Sequence, residues 1–73
     1  MSSVEQMMDD LAFLVERNAQ VRFSRLRGTR FVTCVAEFGE KSWHAASESF
    51  PGATRQVRLN FEHWLEKEKG GSH

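Results

Sequence analysis

The sequence predicts an α+β domain of order α-β-β-β-α, a three-stranded antiparallel meander with two helices packed on one face. Three observations predict it. Apolar residues recur every three to four positions towards both termini, the period of an amphipathic helix. Between Ala19 and Phe38 the period falls to two, that of a half-buried strand. Gly28 and Gly39 punctuate the middle of the chain where tight turns would fold it into a meander.

The first helix opens at Ser2 or Ser3, each followed three residues later by Glu5 or Gln6, the spacing of a capping box. Val4, Met7 or Met8, Leu11, Leu14 and Val15 then make one apolar stripe. Glu5, Asp9 and Asp10 stand early and Arg17 in the last turn, an order that complements the helix dipole. Asn18 suits a left-handed stop. Phe13 lies off the stripe, so it either widens the buried face or is exposed.

In the middle stretch Val21 and Phe23 alternate with Arg22 and Ser24, while Val32, Cys34, Ala36 and Phe38 alternate with Phe31, Thr33, Val35 and Glu37. With Arg27-Gly28 as a two-residue loop, Phe23 faces Val32, Val21 faces Cys34 and Arg25 faces Arg30. With Gly39-Glu40 as the second loop, glycine first, Ala36 faces Trp43 and Cys34 faces Ala45. The two hairpins, placed separately, turn the same set of the middle strand inward, which a one-residue slip in either would spoil. The helices then cover Val21, Phe23, Val32, Cys34, Ala36, Phe38, Trp43 and Ala45, and the other face shows Phe31, Val35 and His44 among Ser24, Thr33 and Ser42.

Phe50-Pro51-Gly52 ends the third strand, and Pro51 is placed to open the last helix, where its missing N–H costs nothing. Ala53, Val57, Phe61, Trp64 and Leu65 give that helix its apolar face; Lys67 and Lys69 favour its C-terminal end, and Gly70 stops it. Residues 1–69 read as one domain and 70–73 as a disordered tail.

Composition narrows the function classes. A chain of 73 residues buries only roughly 60% of its unfolded surface, which leaves little material for an enclosed substrate pocket beside a core. Ten basic and ten acidic residues balance, which argues against a purely electrostatic binder of nucleic acid or membrane. The single cysteine, Cys34, fits a reducing cytoplasm, no apolar run approaches the roughly 20 residues that span a bilayer, and the start reads as no signal peptide. Metal binding is not expected, because no CxxC or HxxxH spacing occurs and Cys34 and His44 point to opposite faces. Catalysis is not expected either: no GxSxG or phosphate-cradling glycine loop is present, and Cys34 is placed in the core. No cofactor is expected.

The charge map carries more. Arg17, Arg22, Arg25, Arg27 and Arg30 fall within fourteen residues that contain no acid. Arg55 and Arg58 stand in the first turns of the last helix, where acids are usual, and Glu5, Asp9, Asp10 and Glu16 make the outside of the first helix acidic.

In element order and length the chain resembles the double-stranded-RNA-binding domain. That family grips RNA with its first helix, its first hairpin loop and a basic start to its last helix, reading shape and phosphates. The resemblance gives Arg27-Gly28-Thr29-Arg30 the loop role and sets Arg55 and Arg58 near the basic start; Asp9 and Asp10, and Phe61 and Trp64 in place of small residues, depart from the pattern. In size and plan the chain also looks like small phage-encoded antitermination proteins that bind host RNA polymerase. That resemblance implies a non-enzymatic transcription regulator in the host cytoplasm, docked on a polymerase subunit. Met7, Met8, Asp9 and Asp10 would meet a basic subunit surface, Arg22, Arg25, Arg27, Arg30, Arg55 and Arg58 would face acidic protein or RNA, and Phe31 would serve as an anchor. The alternative is a compact RNA- or DNA-binding module that uses the same arginines.

Overall fold

A computed structural model describes residues 3–70. The expected order holds: α1 (Ser3–Glu16), β1 (Gln20–Arg25), β2 (Val32–Phe38), β3 (Lys41–Ser47) and α2 (Phe50–Gly70), with one antiparallel sheet in the order β1-β2-β3. The Ser2 cap and the fate of 71–73 lie outside the described residues, and Gly70 continues the helix it was expected to stop.

Side chains of alternate strand residues reach one face, and both helices close it. Leu14 from α1, Cys34 and Ala36 from β2, and Ala53, Val57 and Phe61 from α2 are fully buried, with Val21, Trp43 and Ala45 packed alongside. Phe61 is the hub: its ring meets Trp43 at 5.0 Å, Phe38 at 5.5 Å and Phe13 at 6.3 Å between centroids. Edge contacts of this kind add about 0.5–1.5 kcal/mol each to the burial of the rings. Phe13 therefore widens the buried face of α1.

The β2–β3 register is the expected one, with Ala36 opposite Trp43 and Cys34 opposite Ala45. Gly39 takes φ +62° at the first turn position, as a two-residue loop with glycine first requires. The β1–β2 register differs by two residues. Phe23 pairs with Cys34, Val21 with Ala36, and Arg25 with Val32 rather than Arg30. A type I′ loop at Arg27-Gly28 needs positive φ at both residues, which costs an arginine roughly 1–2 kcal/mol. Only Gly28 adopts it, at +75°. The loop instead spans Arg27 to Arg30, closed where Leu26 N–H donates to the Phe31 carbonyl at 3.0 Å. Thr29 braces it: its hydroxyl donates to the Leu26 carbonyl at 2.8 Å and accepts from Phe31 N–H at 3.1 Å. A two-residue shift preserves which face each residue points to, so the inward set keeps its face while the pairing changes. Phe23, expected under the helices, is the exception in burial, 39% exposed at the edge strand with Phe50 as its ring contact.

The helix ends follow local chemistry. Asn18 takes φ 66° just past α1, and Ala19 N–H donates to the Leu14 carbonyl at 3.0 Å. Ser49 caps α2, its hydroxyl accepting from Gly52 N–H at 3.2 Å. Phe50 and Pro51 thus open the helix one residue earlier than Pro51 alone suggests.

One expectation about α1 needs correction. The single stripe is two: Leu14 is buried and Met7 and Leu11 half-buried, whereas Val4, Met8 and Val15 face solvent. The inward places are taken instead by Phe13 and by a carboxylate, Asp10.

Candidate functional site

Strand direction decides which charged groups meet. β1 runs up to the Arg27–Arg30 loop, β2 runs back, and β3 returns to the same end, where α2 begins. Pairing of Val32 with both Arg25 and Ser47 ties the loop to the start of α2, and the rings of Phe23 and Phe50 meet there at 5.4 Å. Arg25, Arg27, Arg30 and Arg55 therefore collect at one end of the molecule. All four are exposed, and none makes an ion pair with a described residue. The first-turn N–H groups of α2 add partial positive charge to the same end. Leu26 and Phe31, paired across the loop base and on the sheet's open face, stand exposed among the arginines. Sequence pattern points to Phe31 but not to Leu26, since only the shifted register sets the two side by side.

Two expected members leave this group. Arg22 lies on the open face of the sheet and pairs with Glu37 at 3.1 Å. Arg58 points at α1. Its Nη1 lies 3.5 Å from Oδ1 of Asp10, its Nη2 3.5 Å from Oε1 of Glu62, and its guanidinium 4.8 Å from the centre of the Phe13 ring. Asp10 is only 1% exposed and also accepts from Gln6 at 3.5 Å, so it is an internal group and not part of an outer acidic surface. Met7 is half-buried beside it, while Met8 and Asp9 are exposed. The four α1 residues expected to act together are thus split between two faces. A groove of about 390 Å³ runs between the helices, lined among others by Asp9, Asp10, Phe13, Arg17 and Arg58.

The remaining reactive side chains are held apart. Cys34 is fully buried, and loss of solvent pushes its thiol above its ordinary pKa, with Thr54 acting in the opposite and smaller sense. The thiol is therefore held protonated, the unreactive form. Thr54 is itself buried and donates to the Phe50 carbonyl at 2.7 Å. His44 is exposed on the opposite face of the sheet from Cys34, and His63 is exposed on α2. Among the described residues no three His, Cys, Asp or Glu side chains gather as metal ligands do, and no helix is long and apolar enough to cross a membrane.

Compared with protein-family models, characterised proteins and solved structures, the chain matches none.

Proposed function

We propose that this domain is a non-enzymatic binding module whose arginine-bearing end grips the phosphates of a nucleic acid, duplex RNA first. The observation that carries this reading is the gathering of Arg25, Arg27, Arg30 and Arg55 at one end without acidic partners. Unpaired guanidinium groups recruit phosphate oxygens, often through two parallel hydrogen bonds. The first hairpin loop and the start of the last helix are also the parts with which the double-stranded-RNA-binding domain holds its duplex. Here α1 contributes nothing to phosphate contact, because its outer charges are Glu5, Asp9 and Glu16.

The test is a salt titration of binding to duplex RNA, duplex DNA and single-stranded RNA. Four phosphate contacts give a log–log slope of about −3.6 on a duplex, or roughly a hundredfold loss between 50 and 200 mM salt. Replacing Arg27 and Arg30 with Gln should flatten the slope by about 0.9 for each phosphate no longer held. Absence of binding at 50 mM salt overturns the reading.

A second reading, a transcription regulator docked on a bacterial RNA polymerase subunit, is favoured by a different observation: the apolar and acidic outer face of α1. Capture from bacterial lysate on immobilised folded protein tests it, and failure to enrich any polymerase subunit counts against it.

A further inference from the structure

α1 carries large apolar side chains on the side away from its own core. Val4 and Met8 are each 64% exposed and Val15 is 59% exposed, with Leu11 half-buried between them. Their spacing is four, three, four. At about 100° per residue all four fall within roughly 60° of arc, a straight apolar seam along the helix. This is the alternation by which one helix receives another, knobs into holes, over about two heptads. The core takes Phe13, Leu14 and Asp10 from α1 instead. The seam is therefore surplus to the fold. Large exposed apolar groups arranged in a line, rather than scattered singly, mark an interaction surface.

Charge selects the occupant. On one flank the seam borders the domain's own core, at Met7 and Leu14; on the other it borders Asp9, Glu16, Glu5 and Ala12. A second copy of the chain packed antiparallel along the seam would bring acidic flank against acidic flank, which like-charge repulsion disfavours. The headgroups of an anionic membrane meet the same repulsion. A helix with basic flanks meets none of it.

We infer that the outer seam of α1 receives an amphipathic helix of another protein, carrying apolar residues at three-to-four spacing and Lys or Arg along its flank. The inference deepens the protein-docking reading of α1 and rests on it only in taking that face as a docking surface. It depends neither on the identity of a polymerase subunit nor on nucleic-acid binding. Two heptads make a contact at the small end of specific interfaces, so the complex is a transient one.

The experiment uses the full chain, labelled with nitrogen-15, and two designed 21-residue helical peptides with the same Leu seam, one flanked by Lys and one by Glu. The Lys peptide should bind at least tenfold more tightly at 50 mM salt, with shift changes concentrated at Val4, Met8, Leu11 and Val15. Met8→Asp should weaken it at least tenfold; because Met8 is exposed, an unchanged unfolding midpoint separates a docking defect from a folding defect. Asp9→Lys with Glu16→Lys should reverse the preference between the peptides. Equal binding of both peptides, binding of neither, or shift changes confined to the arginine end overturn the proposal. So does a self-associated chain, seen by sedimentation, that Met8→Asp converts to monomer, since the occupant is then a second copy. If the Lys peptide binds at the seam while lysate yields no polymerase subunit, the polymerase reading falls and this one stands. Enrichment of a polymerase subunit that Met8→Asp leaves intact has the opposite meaning.

Discussion

The two ends of the sheet are built from different chemistry. At the Gly39-Glu40 end the turn is two residues long, and Phe38 and Trp43 beside it press against Phe61 and Trp64 of α2. At the Arg27–Arg30 end the turn is four residues long, braced by one threonine, and Leu26 and Phe31 beside it lie exposed. The first end has its aromatic groups inside and the second has its cations outside. The contrast teaches where a chain this short keeps its stability: one end holds the fold, and the other sets its side chains in solvent.

The largest test of that contrast compares two phenylalanines. Phe61→Ala removes the ring that joins α1, the sheet and α2, and emptying a core of this kind costs about 3–5 kcal/mol. At roughly 0.05–0.15 kcal/mol per residue the whole domain holds only about 4–11 kcal/mol, so much of its stability goes with one side chain. Phe31→Ala should change stability by less than about 0.5 kcal/mol, the usual scale for an exposed site. Urea unfolding followed by tryptophan fluorescence measures both. Equal losses would mean that the loop end is part of the cooperative core, and the contrast would fail.

Between the two ends, the Asp10–Arg58 pair joins α1 to α2 side by side. Burial makes such a pair costly to break from one side. Oδ2 of Asp10 and Nε of Arg58 have no hydrogen-bond partner among the described residues, which lowers what the pair contributes. Arg58 also keeps Glu62 and is 23% exposed, so Asp10→Ala should cost about 1–3 kcal/mol rather than the full figure for a sealed ion pair. Adding Arg58→Met removes the stranded charge and fills space along Phe13, so the double variant should be more stable than Asp10→Ala alone. A double variant that loses the sum of the two single effects would show that the groups do not interact.

How far these features are legible in the sequence depends on how local their causes are. The element order, the inward face of the sheet and the apolar face of α2 follow from periodicity, and they hold except that Phe23, on the edge strand, is left exposed. The register of β2 with β3 is legible because glycine occupies the turn position that demands positive φ. The register of β1 with β2 is not, because Gly28 follows an arginine that resists positive φ, and the bracing by Thr29 depends on a carbonyl already turned towards it. Asp10 reads as an outer acid because its partner, Arg58, lies on the other helix and no spacing within α1 announces it. The apolar positions of α1 are legible as residues, but 4-8-11-15 and 7-11-14 are both helical spacings. Only packing decides which one meets the core. For the arginines, sequence shows the excess; strand direction brings the start of α2, with Arg55, to the loop's end of the sheet, while Glu37 engages Arg22 and Asp10 turns Arg58 to α1.

The smallest expected effect separates the two turns themselves. Gly28 and Gly39 both hold positive φ, and a methyl group at either would meet nothing within 4 Å, so any cost of alanine is backbone strain alone. That cost is about 1–2 kcal/mol if the conformation must be kept. At Gly39 it must: the two-residue turn fixes the register that puts Trp43 and Phe38 against Phe61, and relaxing φ would move those rings. At Gly28 the loop has four residues, is exposed, and can redistribute the strain over Arg27, Thr29 and Arg30. Gly39→Ala should therefore cost about 1–2 kcal/mol and Gly28→Ala less than about 1 kcal/mol. Thermal unfolding resolves the difference, since 1 kcal/mol moves the midpoint of a domain this size by roughly 4–8 °C. Gly28→Ala also bears on the proposed phosphate contact. If it leaves stability nearly unchanged but weakens phosphate contact, the loop's shape is tuned to its partner. If it alters neither, the arginines alone carry the contact, whatever backbone presents them.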